Sequence, residues 1–382
     1  MKSILIILLL HTLLGAASTM RPATYEGIQE ANKLIDTKQY DKAFALFDEL
    51  ISETSKKRVY DHAFLQNAYG YLWIQKEDYG KAITSYQKAL SYKVLPKQMQ
   101  TSITLTLAQL FLQQSAFHKT IALIEKWHKE KKPTALSAKL LMISFISLED
   151  KVKGLFWCQK AVALSSKPSL PLYQTKLSLE LQLVKYPDAI KSLTYMLKHF
   201  KPKLIYFKQL AFLYAQQNQE AKGVALLESA YQMDLLEKKD DLLQLAQLLH
   251  QEGAAIKAEV IIEKLQLLHP EDEKISNYLS MLQIESKEYT KALKTLHTLY
   301  EQTKKTKVAL KLAQLYAQKE QWKETVFYTS KIDNNPKAYL LKAIALAQQN
   351  KTLQAIKLFR KAEKSLSTRS QARMWLQHLN TQ

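Results

Sequence analysis

The chain has 382 residues, with 55 Lys and Arg against 35 Asp and Glu and a formal net charge of +20. That balance favours anionic partners: acidic proteins, anionic glycans or lipid headgroups. Seven Gly and nine Pro suit helices, whose interiors both residues destabilise, and the single cysteine, Cys158, excludes an intramolecular disulfide.

In chain order, the first 18 residues read as a secretory signal peptide. Lys2 supplies a positive start, and Ile4 to Leu14 is apolar apart from His11 and Thr12. Gly15-Ala16-Ala17-Ser18 offers small residues for cleavage after Ala17 or Ser18. The apolar run is short for a membrane span, which needs about 20 residues. No cysteine follows it, so a bacterial lipoprotein pattern is absent. The alternative reading is an uncleaved anchor or a buried first helix. Export to the periplasm is the expectation, and it argues against nucleic acid as partner. After cleavage the chain is not expected to be an integral membrane protein.

From residue 19 to 369 the chain repeats itself. The clearest copy runs Gln66-Asn67-Ala68-Tyr69-Gly70-Tyr71-Leu72-Trp73, then Asp78-Tyr79-Gly80-Lys81-Ala82-Ile83, then Tyr86-Gln87-Lys88-Ala89-Leu90. Copies open near Thr24, Ala63, Thr101, Ala135, Leu170, Leu204, Lys239, Glu273, Thr306 and Pro336, at intervals of 30 to 39 residues. Position 8 is small where two helices of one hairpin touch: Ala31, Gly70, Ala108, Ala211, Ala246, Ser280, Ala313 and Ala343. Met142 and Leu177 depart from it. Position 20 is small for the same reason: Ala43, Ala82, Gly154, Ala189, Gly223, Ala258, Ala292 and Ala355, with Thr120 and Thr325 as exceptions. The spacing of Leu204-Ile205, Leu210-Ala211 and Leu213-Tyr214 is helical.

This ladder resembles the tetratricopeptide repeat family, whose period is 34 residues. The resemblance covers nearly the whole chain after the leader. It implies an all-α fold: a right-handed α-solenoid of about ten helix-turn-helix repeats, each burying its apolar face on the next. Residues 370–382 close the stack as a capping helix and tail, with Ala372, Trp375, Leu376 and Leu379 on one side. Cys158 falls where the family places a core aromatic, so it reads as a small buried hydrophobe.

In the family the first helix of each hairpin lines an inner groove through positions 2, 5, 9, 12 and 13. Here those positions nominate Phe64, Asn67, Tyr71, Ile74, Gln75, Gln109, Leu112, Gln113, Lys139, Ile143 and Phe212. Position 13 is Gln in seven copies: Gln75, Gln113, Gln182, Gln216, Gln251, Gln318 and Gln348. Apolar side chains beside neutral amides suit a peptide, whose backbone both donates and accepts. Phe64, Tyr71 and Phe212 are also candidate platforms for a glycan. The two-carboxylate clamp of some family members is not reproduced; only Asn32 in copy one and Lys307 with Lys311 in copy nine match parts of it.

Lysine clusters fall where second helices end: Lys56, Lys57 and Arg58; Lys129, Lys131 and Lys132; Lys201 and Lys203; Lys304 and Lys305. Cations there interact favourably with the helix dipole. Aligned along one edge of a repeat array, they would also form a basic rim for an anionic partner. No His-Glu-x-x-His, phosphate loop or dinucleotide fingerprint occurs, so neither a cofactor nor a metal is expected. The sequence points to a non-catalytic protein-interaction scaffold in an envelope complex, with glycan binding as the alternative.

Overall fold

The computed structural model describes residues 20–380, so the expected signal peptide, residues 1–18, lies outside the described residues. Twenty-one helices follow one another among the described residues, and the chain divides into two compact units at Lys201–Pro202. The first unit holds α1 (Pro22–Asp36), α2 (Tyr40–Glu53), α3 (Val59–Gln75), α4 (Tyr79–Ser91), α5 (Lys97–Gln113), α6 (Phe117–His128), α7 (Ala135–Ser147), α8 (Lys151–Leu164), α9 (Leu170–Gln182) and α10 (Tyr186–His199). The second holds α11 (Leu204–Ala215), α12 (Glu220–Gln232), α13 (Lys239–Gln251), α14 (Ala255–Leu268), α15 (Glu273–Glu285), α16 (Tyr289–Thr303), α17 (Thr306–Gln318), α18 (Trp322–Thr329), α19 (Pro336–Ala347), α20 (Thr352–Glu363) and α21 (Arg369–Asn380).

Within each unit every odd-numbered helix packs on the even-numbered one after it, and each second helix packs on the first helix of the next hairpin. The fold is thus an all-α solenoid of tetratricopeptide-like hairpins. The small positions are the reason the pairs close. Ala31, Ala43, Ala82, Ala108, Ala246, Ala258, Ala292, Ala313, Ala343 and Ala355 are fully buried, as are the exceptions Thr120 and Thr325. Thr120 satisfies its hydroxyl by donating to the Ala108 carbonyl across the hairpin. A Cβ on Gly154 would stand 2.9 Å from Ile146 Cγ1, and one on Gly223 would stand 3.0 Å from the Ala211 carbonyl oxygen. At Gly223 the neighbour is backbone and cannot step aside. Met142 and Leu177 are accommodated in the core all the same, at 7% and 5% exposure.

Each hairpin turns in the same way. Position 15 adopts a left-handed conformation in all ten copies: Lys38, Glu77, Ser115, Glu149, Val184, Asn218, Gly253, Lys287, Glu320 and Asn350, with φ between 53 and 78°. The next residue's N–H then bonds back into the last turn of the first helix, as from Gln39 to the Leu34 carbonyl or from Asp78 to that of Trp73, at 2.7–3.0 Å throughout. That is the Schellman closure, which satisfies a carbonyl the helix end leaves open. Only one of the ten residues is glycine.

Two ends are sealed differently. At the start, Met20 is buried and Arg21 binds Asp61, which is 1% exposed: the Arg21 N–H donates to Oδ1 at 3.1 Å, and Arg58 Nε donates to Oδ2 at 2.6 Å. At the far end α21 covers α20. Ala372 is fully buried, and Trp375, Leu376 and Leu379 pack on the cluster around Leu340, Phe359 and Ala362, with Trp375 stacked on Phe359 at 5.8 Å.

Candidate interaction surface

The nominated groove residues separate by burial. Phe64, Ile74 and Leu112 sit in the core at 3%, 7% and 7% exposure, with Phe64 against Tyr60 at a ring distance of 4.9 Å. Their side chains hold hairpins together and are not presented to a partner, which corrects the expectation for these three. Asn67, Tyr71, Gln109 and Lys139 are half-buried; Gln75, Gln113, Ile143 and Phe212 are exposed. Phe64 therefore offers no face to a sugar. All seven position-13 glutamines are exposed, and each is the last residue of a first helix or its cap. They mark hairpin ends rather than the middle of a groove.

A depression lies between hairpins in the second unit, lined by first and second helices alike. A cavity of about 300 Å³ opens between α11, α12 and α13 in the second unit. Its floor is Ala211, Val224, Leu227, Leu236 and Leu245. Phe212 stands at its lip at 59% exposure. Lys208 and Asp241, also on the lip, bond to each other at 2.5 Å and tie α11 to α13. The long connection Met233–Lys238 sends Leu236 inward, buried at 3%, to close the base. An apolar floor of this size with a charged and aromatic lip fits one large apolar side chain. In the first unit a broader and more polar trough runs along α9, lined by Ile146, Pro171, Thr175, Ser178 and Gln182.

The rim lysines lie in the connections after α2, α6, α10 and α16, and Lys56, Lys57, Lys129, Lys131, Lys132, Lys201, Lys203, Lys304 and Lys305 are all exposed. Two of them are already engaged: Lys304 pairs with Glu301, and Lys305 pairs with Glu273 on α15. Of the clamp-like pair, Lys311 is partly buried and donates to Asn277 Oδ1 at 2.8 Å, and burial lowers its pKa. It is a strut between α15 and α17.

Polar constellations elsewhere resolve into packing. Lys176 Nζ donates to Ser192 Oγ at 2.7 Å, which has the look of a lysine-activated serine. The same ammonium is paired with Glu180 at 2.8 Å, and Glu180 and Ser192 are 0% and 1% exposed. A paired ammonium donates and does not accept a proton, and no substrate reaches Ser192. Cys158 is fully buried and burial pushes its thiol up to about 12, far from the reactive thiolate range. Among the described residues no group of three His, Cys, Asp or Glu is placed to hold a metal, and no helix is long and apolar enough to cross a membrane.

One recurrent contact went unread in the sequence. Lysine at position 19 lies over the aromatic ring at position 11 of its own hairpin. Lys81 is 4.1 Å from the Trp73 centroid, Lys119 5.8 Å from Phe111, Lys153 5.2 Å from Phe145, and Lys222 5.8 Å from Tyr214. The spacing of eight residues, repeated four times, was the available signal. The turn inserted between the two helices hides it from any helical periodicity.

No protein-family model matches the chain, and no curated protein matches it. Solved structures do. A tetratricopeptide repeat protein from Parabacteroides merdae is 15% identical over 69% of this chain and 99% of its own, with a TM-score of 0.41. A crystal structure of MamA is 15% identical over 40% of this chain and 91% of its own, with a TM-score of 0.35. MamA AMB-1 is 19% identical over 42% and 90%, with a TM-score of 0.35. Each is a likeness in repeat architecture.

Proposed function

We propose that this chain is a non-catalytic protein-interaction scaffold, exported to the cell envelope, that seats a partner's apolar side chain between α11, α12 and α13. The observation that carries the reading is the socket itself: an apolar floor, an exposed Phe212 and a fixed Lys208–Asp241 lip. A large hydrophobe standing exposed beside a formed apolar depression is the arrangement of an anchor site. The exposed Gln244 offers an amide to a partner backbone beside the Lys208–Asp241 pair. The apolar leader, residues 4–14 with small residues after it, supports export.

The test is site-specific photocrosslinking in cells of the native host. A photoreactive residue at Phe212 should trap a discrete protein partner, and one at Thr298, exposed on α16, should not. Filling the socket with Leu227→Trp should abolish the Phe212 crosslink while circular dichroism stays helical. Equal labelling at both positions, or persistence after filling, overturns the socket. The mass of the purified protein checks export: a start at Ser18 or Thr19 supports it, and an intact Met1 overturns it.

A further inference from the structure

The excess of positive charge is not spread evenly. Residues 79–201 hold 19 basic and 6 acidic residues, whereas residues 202–330 hold 17 of each. The structure shows where part of the first excess goes. On α4, α6 and α8, the second helices of three successive hairpins, lysine recurs at positions 19 and 26: Lys81 and Lys88, Lys119 and Lys126, Lys153 and Lys160. All six are exposed. Seven residues apart on a helix, each pair shares one face, about 10 Å along the axis. Each row is continued on the next second helix.

In the second unit the rows are broken: position 19 is Glu324 and Gln354 in copies nine and ten, position 26 is Ser229 and Thr298 in copies six and eight, and two of the lysines that remain are paired with acids. Lys257 pairs with Glu228, and Lys291 pairs with Glu259, Glu263 and Glu288, mostly on neighbouring second helices. Positions 21 and 25, which supply three of those four acids, are Ile83 and Gln87 on α4, Ile121 and Glu125 on α6, and Leu155 and Gln159 on α8. Of these six residues only Glu125 is acidic. Lys81 and Lys153 do pair with their helix caps Asp78 and Asp150, and Lys160 lies over the Phe156 ring. Lys88 and Lys126 lie in the last turns of α4 and α6, and their neighbours at positions 22 and 25 are mostly uncharged. On α8, Val152 stands beside Lys153 and Phe156 stands between Lys153 and Lys160, 67% and 50% exposed.

We infer that the second-helix face of α4, α6 and α8 docks on an anionic lipid surface. A lattice of cations in two directions matches a sheet of headgroups; a linear polyanion would follow one row. Apolar side chains standing among the lysines match the headgroup–acyl boundary, where a basic amphipathic face sinks its hydrophobes. This face shares no residue with the α11–α13 socket, so it stands whether or not that site binds a partner.

The test is sedimentation with phosphatidylglycerol-containing vesicles and with phosphatidylcholine vesicles, using the chain from Thr19, which keeps every described helix. The apolar leader would otherwise bind both. Wild-type protein should partition onto the anionic vesicles and be released as salt rises. Each cation near such a surface strengthens binding about fivefold, so Lys88→Glu, Lys126→Glu and Lys160→Glu together should weaken it by about 100-fold or more. The matched variant Lys57→Glu, Lys131→Glu, Lys132→Glu makes the same charge change on the rim and should retain most of the binding. Phe156→Ser should lower partition without changing helicity. Equal loss in both triple variants reduces the effect to net charge and overturns the assignment. So does absence of vesicle binding, or preference for a soluble polyanion such as dextran sulfate over vesicles.

Discussion

Val184 occupies a backbone state that L-residues with branched side chains avoid. Its φ is 56°, and its side chain is 64% exposed, so no packing repays the strain. A β-branched residue in the left-handed region costs roughly 1–2 kcal/mol. Asparagine tolerates that region and closes the same turn at Asn218 and Asn350. Val184→Asn should therefore stabilise the protein by about 0.5–1 kcal/mol, read as a higher urea midpoint with an unchanged slope. An unchanged midpoint would show that the turn is not strained. His297 is the second informative residue. Its two ring nitrogens bond to the hydroxyls of Tyr316 and Tyr328, the latter at 2.9 Å. Burial lowers its pKa, with Glu301 opposing. A depressed imidazole binds fewer protons folded than unfolded. Its stabilisation is present above the ordinary histidine pKa, near 6.5, and is lost as pH falls below it. Melting temperature should drop between pH 7.5 and 5.5, and His297→Gln should reduce that drop. Equal drops in both proteins would remove His297 from the account.

At the scale of the element, the hairpin is the unit that the small residues make possible. Positions 8 and 20 let two helices approach, position 15 reverses the chain, and a lysine at position 19 covers the ring at position 11 in four copies. Lysine here works partly through its aliphatic stem and its attraction to the ring face. The basic composition is thus partly a packing device. The last helix differs from the others, because α21 covers the apolar surface of α20 as a single helix. Trp375 is half-buried against Phe359. Trp375→Ala should destabilise the second unit by about 2 kcal/mol. Hydrogen exchange should quicken first in α20 and α21. Uniform loss of protection across the chain would mean that α21 is not a local cap.

For the whole molecule, charge distinguishes residues 79–201 from residues 202–330. The second unit knits its hairpins together with ion pairs across neighbouring repeats, such as Lys208–Asp241, Lys257–Glu228 and Lys305–Glu273. Exposed pairs of this kind add little stability singly, but they cancel the local field. In hairpins two to five of the first unit the pairs Lys81–Asp78, Lys153–Asp150, Lys176–Glu180 and Lys191–Asp188 stay within one helix or its cap, and the excess of lysine leaves a positive field. Residues 331–382, with ten basic and two acidic residues, are the other basic stretch. A scaffold with one neutral stretch carrying an apolar socket and one charged face can hold a protein partner and an anionic surface through different residues. Salt separates the two, because screening weakens the charged face and leaves apolar anchoring in the socket.

The sequence by itself determined the repeat. A small residue at positions 8 and 20 is a local requirement of helix contact, so it shows through as a period without any knowledge of the fold. The lysine clusters at helix ends and the apolar side of the last helix were legible for the same reason: each depends on neighbours along the chain. Only the tertiary structure decided which first-helix residues face out. Phe64, Ile74 and Leu112 were nominated by position and are buried in the apolar clusters that packed hairpins share. The socket under Phe212 was equally invisible, since it depends on Leu236 turning inward from a connection between hairpins. The ten left-handed turns escaped notice because nine of their residues are not glycine, and there the Schellman bonds, not residue type, impose the conformation. Contacts between hairpins join residues some 30 positions apart. Their outcome depends on packing volumes that no short window of sequence contains.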